Sequence, residues 1–228
     1  MANKDILYTP GRKTEEGFLG PQFEVNFKAF LAGKSNSGKS TLLFEILKTK
    51  NIFNEIFHCI TYHFSEEQEL FEKMKKTIPN ITFIKGLPKD IKKHGNSHCL
   101  LIIDDLLAEA ANSDLILDLF LKKSHHLKKS LFLLTQNLYY QGKYFRNLSL
   151  NCDYFIIFKN PRDQSQIATF SRQMFPNNST LLSDIYTAVT YDTPYGYVYL
   201  DMTKKKKDCL RIWTNITTKR PLVFKHEF

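Results

Sequence analysis

The run Gly33-Lys34-Ser35-Asn36-Ser37-Gly38-Lys39-Ser40 fits the spacing GxxxxGK[ST] without a mismatch. Its two glycines let the backbone curl until several N–H groups point at one place. A helix opening at Lys39 adds the positive end of its dipole. That is a cradle for nucleotide phosphates. In it Lys39 reaches the β- and γ-phosphates, Ser40 offers a hydroxyl to Mg²⁺, and Thr41 continues the helix. An apolar strand precedes the loop and an apolar helical pattern, Leu42 to Leu47, follows it, which is the context such a loop requires. The competing reading is a flexible Ser/Gly turn.

A second group is Cys99-Leu100-Leu101-Ile102-Ile103-Asp104-Asp105, an apolar strand ending in two acids, as in a Walker B strand. Asp104 is positioned to hold Mg²⁺ through water. Asp105, directly after it, is positioned to orient and polarise an attacking water; it also suits a helix N-cap, and the two roles are compatible. A third group is Leu131 to Asn137, with Thr135-Gln136 at the tip of the next strand. Gln136 can there touch the γ-phosphate or the water. Together these residues describe ATP hydrolysis. GTPases need an N/TKxD guanine reader, and Lys159-Asn160-Pro161-Arg162-Asp163 has the wrong order. Nucleotide kinases usually carry an arginine-rich lid and lack a water-activating acid at this point. Lys34 is a feature of partition-type ATPases, but those continue with glycines and place a proline after the Walker B acid. This chain has Ser35-Asn36 and Asp105-Leu106. A partition-type nucleotide switch and a kinase remain the alternatives.

The elements that must carry these groups alternate. Strands are expected over Phe23–Leu31, Glu55–Tyr62, Ile81–Ile84, Leu100–Asp104, Leu131–Thr135 and Tyr154–Phe158. Helices are expected over Lys39–Lys50, Ser65–Ile78 (Ser65 as N-cap, Gln68 closing a capping box), Leu106–Leu127, Gln164–Met174 and Thr180–Val189. Tyr195–Met202 and Cys209–Thr214 make a terminal hairpin. The pattern predicts an α/β fold: a P-loop NTPase with a RecA-like, additional-strand core, in which helices cover both faces of a mainly parallel sheet and a β-hairpin closes the C-terminus. The loops after Leu31, Ile103, Leu134 and Phe158 should then converge. Residues 1–22 read as an extended lead-in and 23–228 as one domain.

The chain has 228 residues, 43% hydrophobic and 24% charged, the composition of a soluble globular protein. It has no apolar run long enough for a bilayer and no signal-peptide layout at its start, which points to a reducing, intracellular compartment. Cys59, Cys99, Cys152 and Cys209 form no CxxC pair and read as small buried hydrophobes. His125 and His126 are adjacent and do not share a helix face. A net charge of +9 and a pI near 9.2 favour a polyanionic partner, nucleic acid first.

"LAGKSNSGKSTLL", "LLIIDDLL", "LLTQNLYYQGKYFRNLSLN" and "DYFIIFKNPRDQSQIATFSRQMFP" resemble the viral genome-packaging ATPases of the FtsK–HerA superfamily. The likeness is to the poxvirus-type branch and, within it, to the versions carried by Polinton/Maverick elements, adintoviruses and virophages. It runs in order from about Phe23 to Asp201. It implies a homo-oligomeric ring, pentamer or hexamer, that pumps double-stranded DNA of any sequence into a preformed capsid and docks on capsid or packaging-vertex proteins. Its setting would be the host nucleus or a cytoplasmic virus factory, or the virion. By position Lys39, Ser40, Asp104, Asp105 and Gln136 take the family's nucleotide and sensor roles. The wider superfamily usually has Asp-Glu where this chain has Asp104-Asp105. Ring motors fire with an arginine from the next subunit; Arg146 is the first candidate, Arg162 the second and Arg172 the third. The run Lys204-Lys205-Lys206-Lys207 is either a solvated turn or a loop that touches DNA phosphates.

Overall fold

A computed structural model of the chain describes residues 7–10, 20–90, 97–123, 127–139, 143–161 and 164–225, with no side-chain description for 7–10 and 122–123. His125, His126 and Arg162 lie outside the described residues, as does most of the lead-in. The strands are β1 (Leu7–Pro10), β2 (Lys28–Ala32), β3 (Cys59–Phe64), β4 (Ile81–Lys85), β5 (Cys99–Asp104), β6 (Lys129–Thr135), β7 (Tyr154–Phe158), β8 (Tyr197–Asp201), β9 (Ile212–Thr214) and β10 (Leu222–Lys225). The helices are α1 (Lys39–Lys48), α2 (Leu70–Thr77), α3 (Leu107–Ala110), α4 (Asp114–Asp118), α5 (Phe145–Leu150), α6 (Gln164–Met174) and α7 (Leu181–Thr190).

All ten strands join one sheet in the order β1-β10-β9-β8-β7-β2-β6-β5-β3-β4. From β7 to β4 every pairing is parallel, and from β7 outward to β1 every pairing is antiparallel. The parallel part needs crossovers, and the helices supply them on both faces. Side chains of β5 alternate accordingly. Leu100 and Ile102 pack with α1 and α2, in a core that includes Leu43, Ile46, Phe71 and Met74. Leu101 and Ile103 pack with α3 to α7, against Leu119, Phe120, Leu148, Ile167 and Ile185. Covered on both faces, β2, β5, β6 and β7 are buried along their whole length, which is why apolar residues fill all but their ends.

Several local expectations are corrected. The first long strand starts at Lys28 rather than Phe23, because Asn26 takes a positive φ of 66° and turns the chain, its N–H donating to Ser130 Oγ at 2.8 Å. Phe23 instead sits under the sheet's end in an aromatic cluster with Phe27, Phe132 and Tyr154. The helix expected from Ser65 starts at Leu70, and its cap residue Glu69 makes no side-chain cap bond. The Gln68 amide donates to Asp104 Oδ2 at 3.2 Å, a carboxylate acceptor, rather than closing a capping box. The helix expected over Leu106–Leu127 breaks at Asn112 and Ser113. The Asn112 amide donates to the Ala108 carbonyl, and Ser113 starts α4 by accepting the Ile116 N–H. These are the local bonds by which Asn and Ser compete with a continuing helix. A π-helical turn, Leu119–Lys123, follows.

The expected hairpin is present as β8–β9 and does not end the sheet: β10 pairs with β9, and β1 pairs with β10. Cys59 and Cys99 are not free. They are register partners on β3 and β5 with Cα atoms 4.8 Å apart, and the structure joins them in a disulfide. The pairing is invisible in the spacing because the strands are neighbours in space but 40 residues apart in sequence. Cys59 and Cys99, joined in this way, give no support to the expected reducing compartment. Among the described residues no helix is long and apolar enough to cross a membrane.

Candidate nucleotide site

The carboxyl ends of β2, β5, β6 and β7 lie together, since all four are parallel. The loop leaving β2 is pinned at its base by Gly33 N–H donating to Thr135 O at 3.0 Å, and it turns back through Ser37 N–H to Lys34 O at 3.2 Å. Asn36 and Gly38 take positive φ, 60° and 97°. A Cβ on Gly33 would lie 2.6 Å from Phe158 Cβ and 2.7 Å from Ser37 Oγ, so only glycine fits between this loop and β7. α1 then begins, with Leu42 N–H donating to Gly38 O. The Lys39 ammonium curls back over the loop and donates to Gly33 O at 2.7 Å and Lys34 O at 3.1 Å. Its pKa is lowered by burial, which outweighs the attraction of Asp105 and Asp104. Ser37 Oγ is buried and, among the described residues, has no hydrogen-bond partner.

Asp104 ends β5 almost fully buried. Its Oδ2 accepts from Tyr62 OH at 2.6 Å, from Gln68 Nε2 at 3.2 Å and from Ser40 Oγ at 3.3 Å. Burial pushes its pKa up, with Asp105 adding to the rise, while the Tyr62 hydrogen bond, Lys39 and Gln68 oppose it. Burial and the Asp104 charge push the Tyr62 phenol well above its ordinary value, so it stays a donor. Asp105 leaves the strand with φ of 54° and an exposed side chain. Gln136, exposed at the tip of β6, donates from Nε2 to Asp105 Oδ1 at 3.3 Å. The strand that carries Gln136 thus lies between the P-loop strand and the two acids.

A cleft of about 410 Å³ opens here, with Asn36, Lys39, Ser40, Thr41, Asp104 and Asp105 among its lining residues; Ser35 and Gly38 line it too. The loop after β3 forms the opposite wall with Ser65, Glu66, Glu67 and Gln68. The donor set fits a hydrated magnesium ion: an alcohol and a carboxylate already face each other, and hard oxygen ligands are what that cation takes. Ser40 and Asp104 would hold it.

The structure brings Gly33, Ser37, Gly38, Lys39, Ser40, Thr41, Asp104, Asp105 and Gln136 to one place. Arg146 is not among the residues lining the cleft; it is exposed on α5, whose start is tied to the α3–α4 segment by Tyr144 N–H to Ala111 O. Arg172 bonds its own helix at Thr169. The lysine run lies at the other end of the strands, because β8 is antiparallel to β7 and Asp201 stands beside Tyr154. Lys205 pairs with Glu24 at 3.0 Å, and Lys206 lies 3.8 Å from Asp201 and over the Trp213 ring, so Lys206 is half-buried while Lys204, Lys205 and Lys207 are exposed. Tyr62 and Gln68 are site residues that the sequence reading missed. A tyrosine within a strand looks like core, and only the pairing of β3 with β5 brings its hydroxyl to the acid.

No family model matches the chain, and no curated protein matches it. Solved structures do. The genome-packaging NTPase B204 of Sulfolobus turreted icosahedral virus 2, in complex with ATPγS, superposes with a TM-score of 0.51 over 89% of this chain and 98% of its own at 16% identity. The DNA-packaging ATPase B204 of Sulfolobus turreted icosahedral virus gives a TM-score of 0.51 over 81% of this chain and 96% of its own, again at 16% identity. The chain shares the fold of a viral genome-packaging NTPase. It is a P-loop NTPase fold, mainly parallel, with antiparallel strands added at one edge of the parallel set.

Proposed function

We propose that the chain is an ATPase that translocates double-stranded DNA and packages the genome of a virus or virus-like element into a capsid. The observation that carries the ATPase half is the pair of contacts tying three separate segments into one cleft: Ser40 to Asp104, and Gln136 to Asp105. Lys39 exchanges the Gly33 and Lys34 carbonyls for phosphate oxygens, a charge-assisted contact, while the N–H groups of the loop surround the same phosphates. Asp105, exposed beside the cleft, takes a proton from the attacking water, and Gln136 holds its carboxylate in orientation. Magnesium, when bound, supplies neutralisation of charge on the β- and γ-phosphate oxygens.

The packaging half is supported by the fold shared with B204 and by the +9 net charge. A packaging motor must grip any sequence, so contacts to phosphates suit it better than base readout. Lys204, Lys205 and Lys207 are the exposed members of the lysine run, available for that grip on the far end of the sheet from the nucleotide. The cleft also lacks an arginine among its described lining residues. We assign that charge to a neighbouring copy in a homo-oligomeric ring, from Arg146 or, second, Arg162. ATP turnover with and without random-sequence duplex DNA tests the reading. Stimulation by duplex that falls steeply with salt supports it; turnover indifferent to DNA, or binding confined to one sequence, overturns it.

A further inference from the structure

Tyr195 is a large aromatic residue left 66% exposed on a turn whose backbone is tied down. It belongs to the turn Thr193-Pro194-Tyr195-Gly196, closed by Gly196 N–H donating to Thr193 O at 3.0 Å, with proline at the position whose φ it pre-sets. Gly196 is locked in turn. Its carbonyl accepts the Lys159 N–H at 3.0 Å, and a Cβ on it would lie 2.8 Å from Val189 O. Lys159 Nζ ties down the start of the same loop by donating to Tyr191 O at 3.0 Å. These bonds tie down the turn that carries the ring, whose face is open to solvent.

The ring stands beside the phosphate loop. A Cβ built on Gly38 would come within 3.4 Å of Tyr195 Cδ1. The direction matters as much as the distance. Asp104, Asp105 and Gln136, which mark the γ-phosphate end, follow β5 and β6, on one side of β2. Tyr195 precedes β8, two strands away on the other side, past β7. A nucleoside triphosphate with its γ-phosphate toward β5 and its other phosphates across Gly38 would extend toward β8, the side on which Tyr195 stands.

We infer that Tyr195 is the stacking platform for the nucleobase, so that the site takes a nucleoside triphosphate through its ring system as well as through its phosphates. This rests on the phosphate-loop reading above. Base–aromatic stacking has the strength to matter, and every base offers a π-face. Calorimetric titration with Mg²⁺·ATP and with Mg²⁺·tripolyphosphate, which has the phosphates and no base, tests it. Tyr195→Ala should weaken ATP about tenfold and leave tripolyphosphate unchanged, while Tyr195→Phe should bind both like the parent. ATP affinity in Tyr195→Ala equal to the parent's overturns the platform. So does an equal loss for ATP and tripolyphosphate, which would make the ring a support for the loop. If the parent itself binds neither compound, the phosphate site fails and the platform with it.

Discussion

Removing the Tyr62 hydroxyl probes the joint that holds Asp104. The Tyr62 side chain is fully buried, and its OH lies 2.6 Å from Asp104 Oδ2, shorter than the bonds from Gln68 at 3.2 Å and Ser40 at 3.3 Å. Tyr62→Phe keeps the ring and its contacts with Phe71 and Phe83, so little is lost but the hydrogen bond. A bond to a charged group contributes about 1.5–3 kcal/mol, and for a domain of this size each kcal/mol moves Tm by about 2–4 °C. The expected fall is roughly 3–12 °C, with a matching drop in urea midpoint followed by Trp213 fluorescence. In an Asp104→Asn background the acceptor is neutral, and the same change should cost about half as much. A loss under about 0.5 kcal/mol, or the same loss in both backgrounds, would refute the claim that this hydroxyl holds the Asp104 carboxylate.

Asp105→Asn should keep ATP affinity and slow hydrolysis about a hundredfold or more, as loss of a general base does; hydrolysis at the parent rate would leave Asp105 without that role. Cys99→Ser, or reduction of the parent, should cost about 2–4 kcal/mol in urea unfolding, since a link across 40 residues restrains the unfolded chain; equal midpoints in oxidised and reduced protein would contradict the Cys59–Cys99 link. His63 is buried with its Nδ1 at 2.8 Å from Gly86 O, and burial lowers its pKa. The unfolded chain then binds the proton more tightly, so His63 should cost stability as pH falls below about 6.5, and His63→Gln should flatten the urea-midpoint profile between about pH 7 and 5. An Arg146→Ala subunit should be inactive alone and regain turnover when mixed with Lys39→Ala subunits, because each supplies what the other's interface lacks; no recovery for Arg146 or for Arg162 would remove the shared site.

What was legible in the sequence was short-range. Gly33 to Ser40 is one contiguous loop, and its glycines are required by the 97° φ of Gly38 and the close approach of Phe158 to Gly33. Asp104 and Asp105 stand out because an unbroken apolar run ends on them, and that run exists because helices cover both faces of β5. The elements missed are those settled by partners distant in sequence. Gln68 abandons a cap for a carboxylate 36 residues on, and Tyr62 reaches the same atom across 42. Cys59 meets Cys99 only through the pairing of β3 with β5. β1 reads as part of a lead-in because its partner, β10, lies at the other end of the chain. Ser65-Glu66-Glu67-Gln68 has the pattern of a helix start, yet its place beside the two acids makes it a wall of the cleft.

Under the proposed function, ATP turnover at Asp104, Asp105 and Gln136 moves the protein along duplex DNA. Displacement of a third strand from a triplex at set distances along a linear duplex measures that movement directly. ATP-dependent displacement is expected, with a lag that lengthens with distance, and Asp105→Asn should give no displacement. Steady ATP hydrolysis by the assembled protein on the same DNA, with the third strand left in place at every distance, would contradict that function.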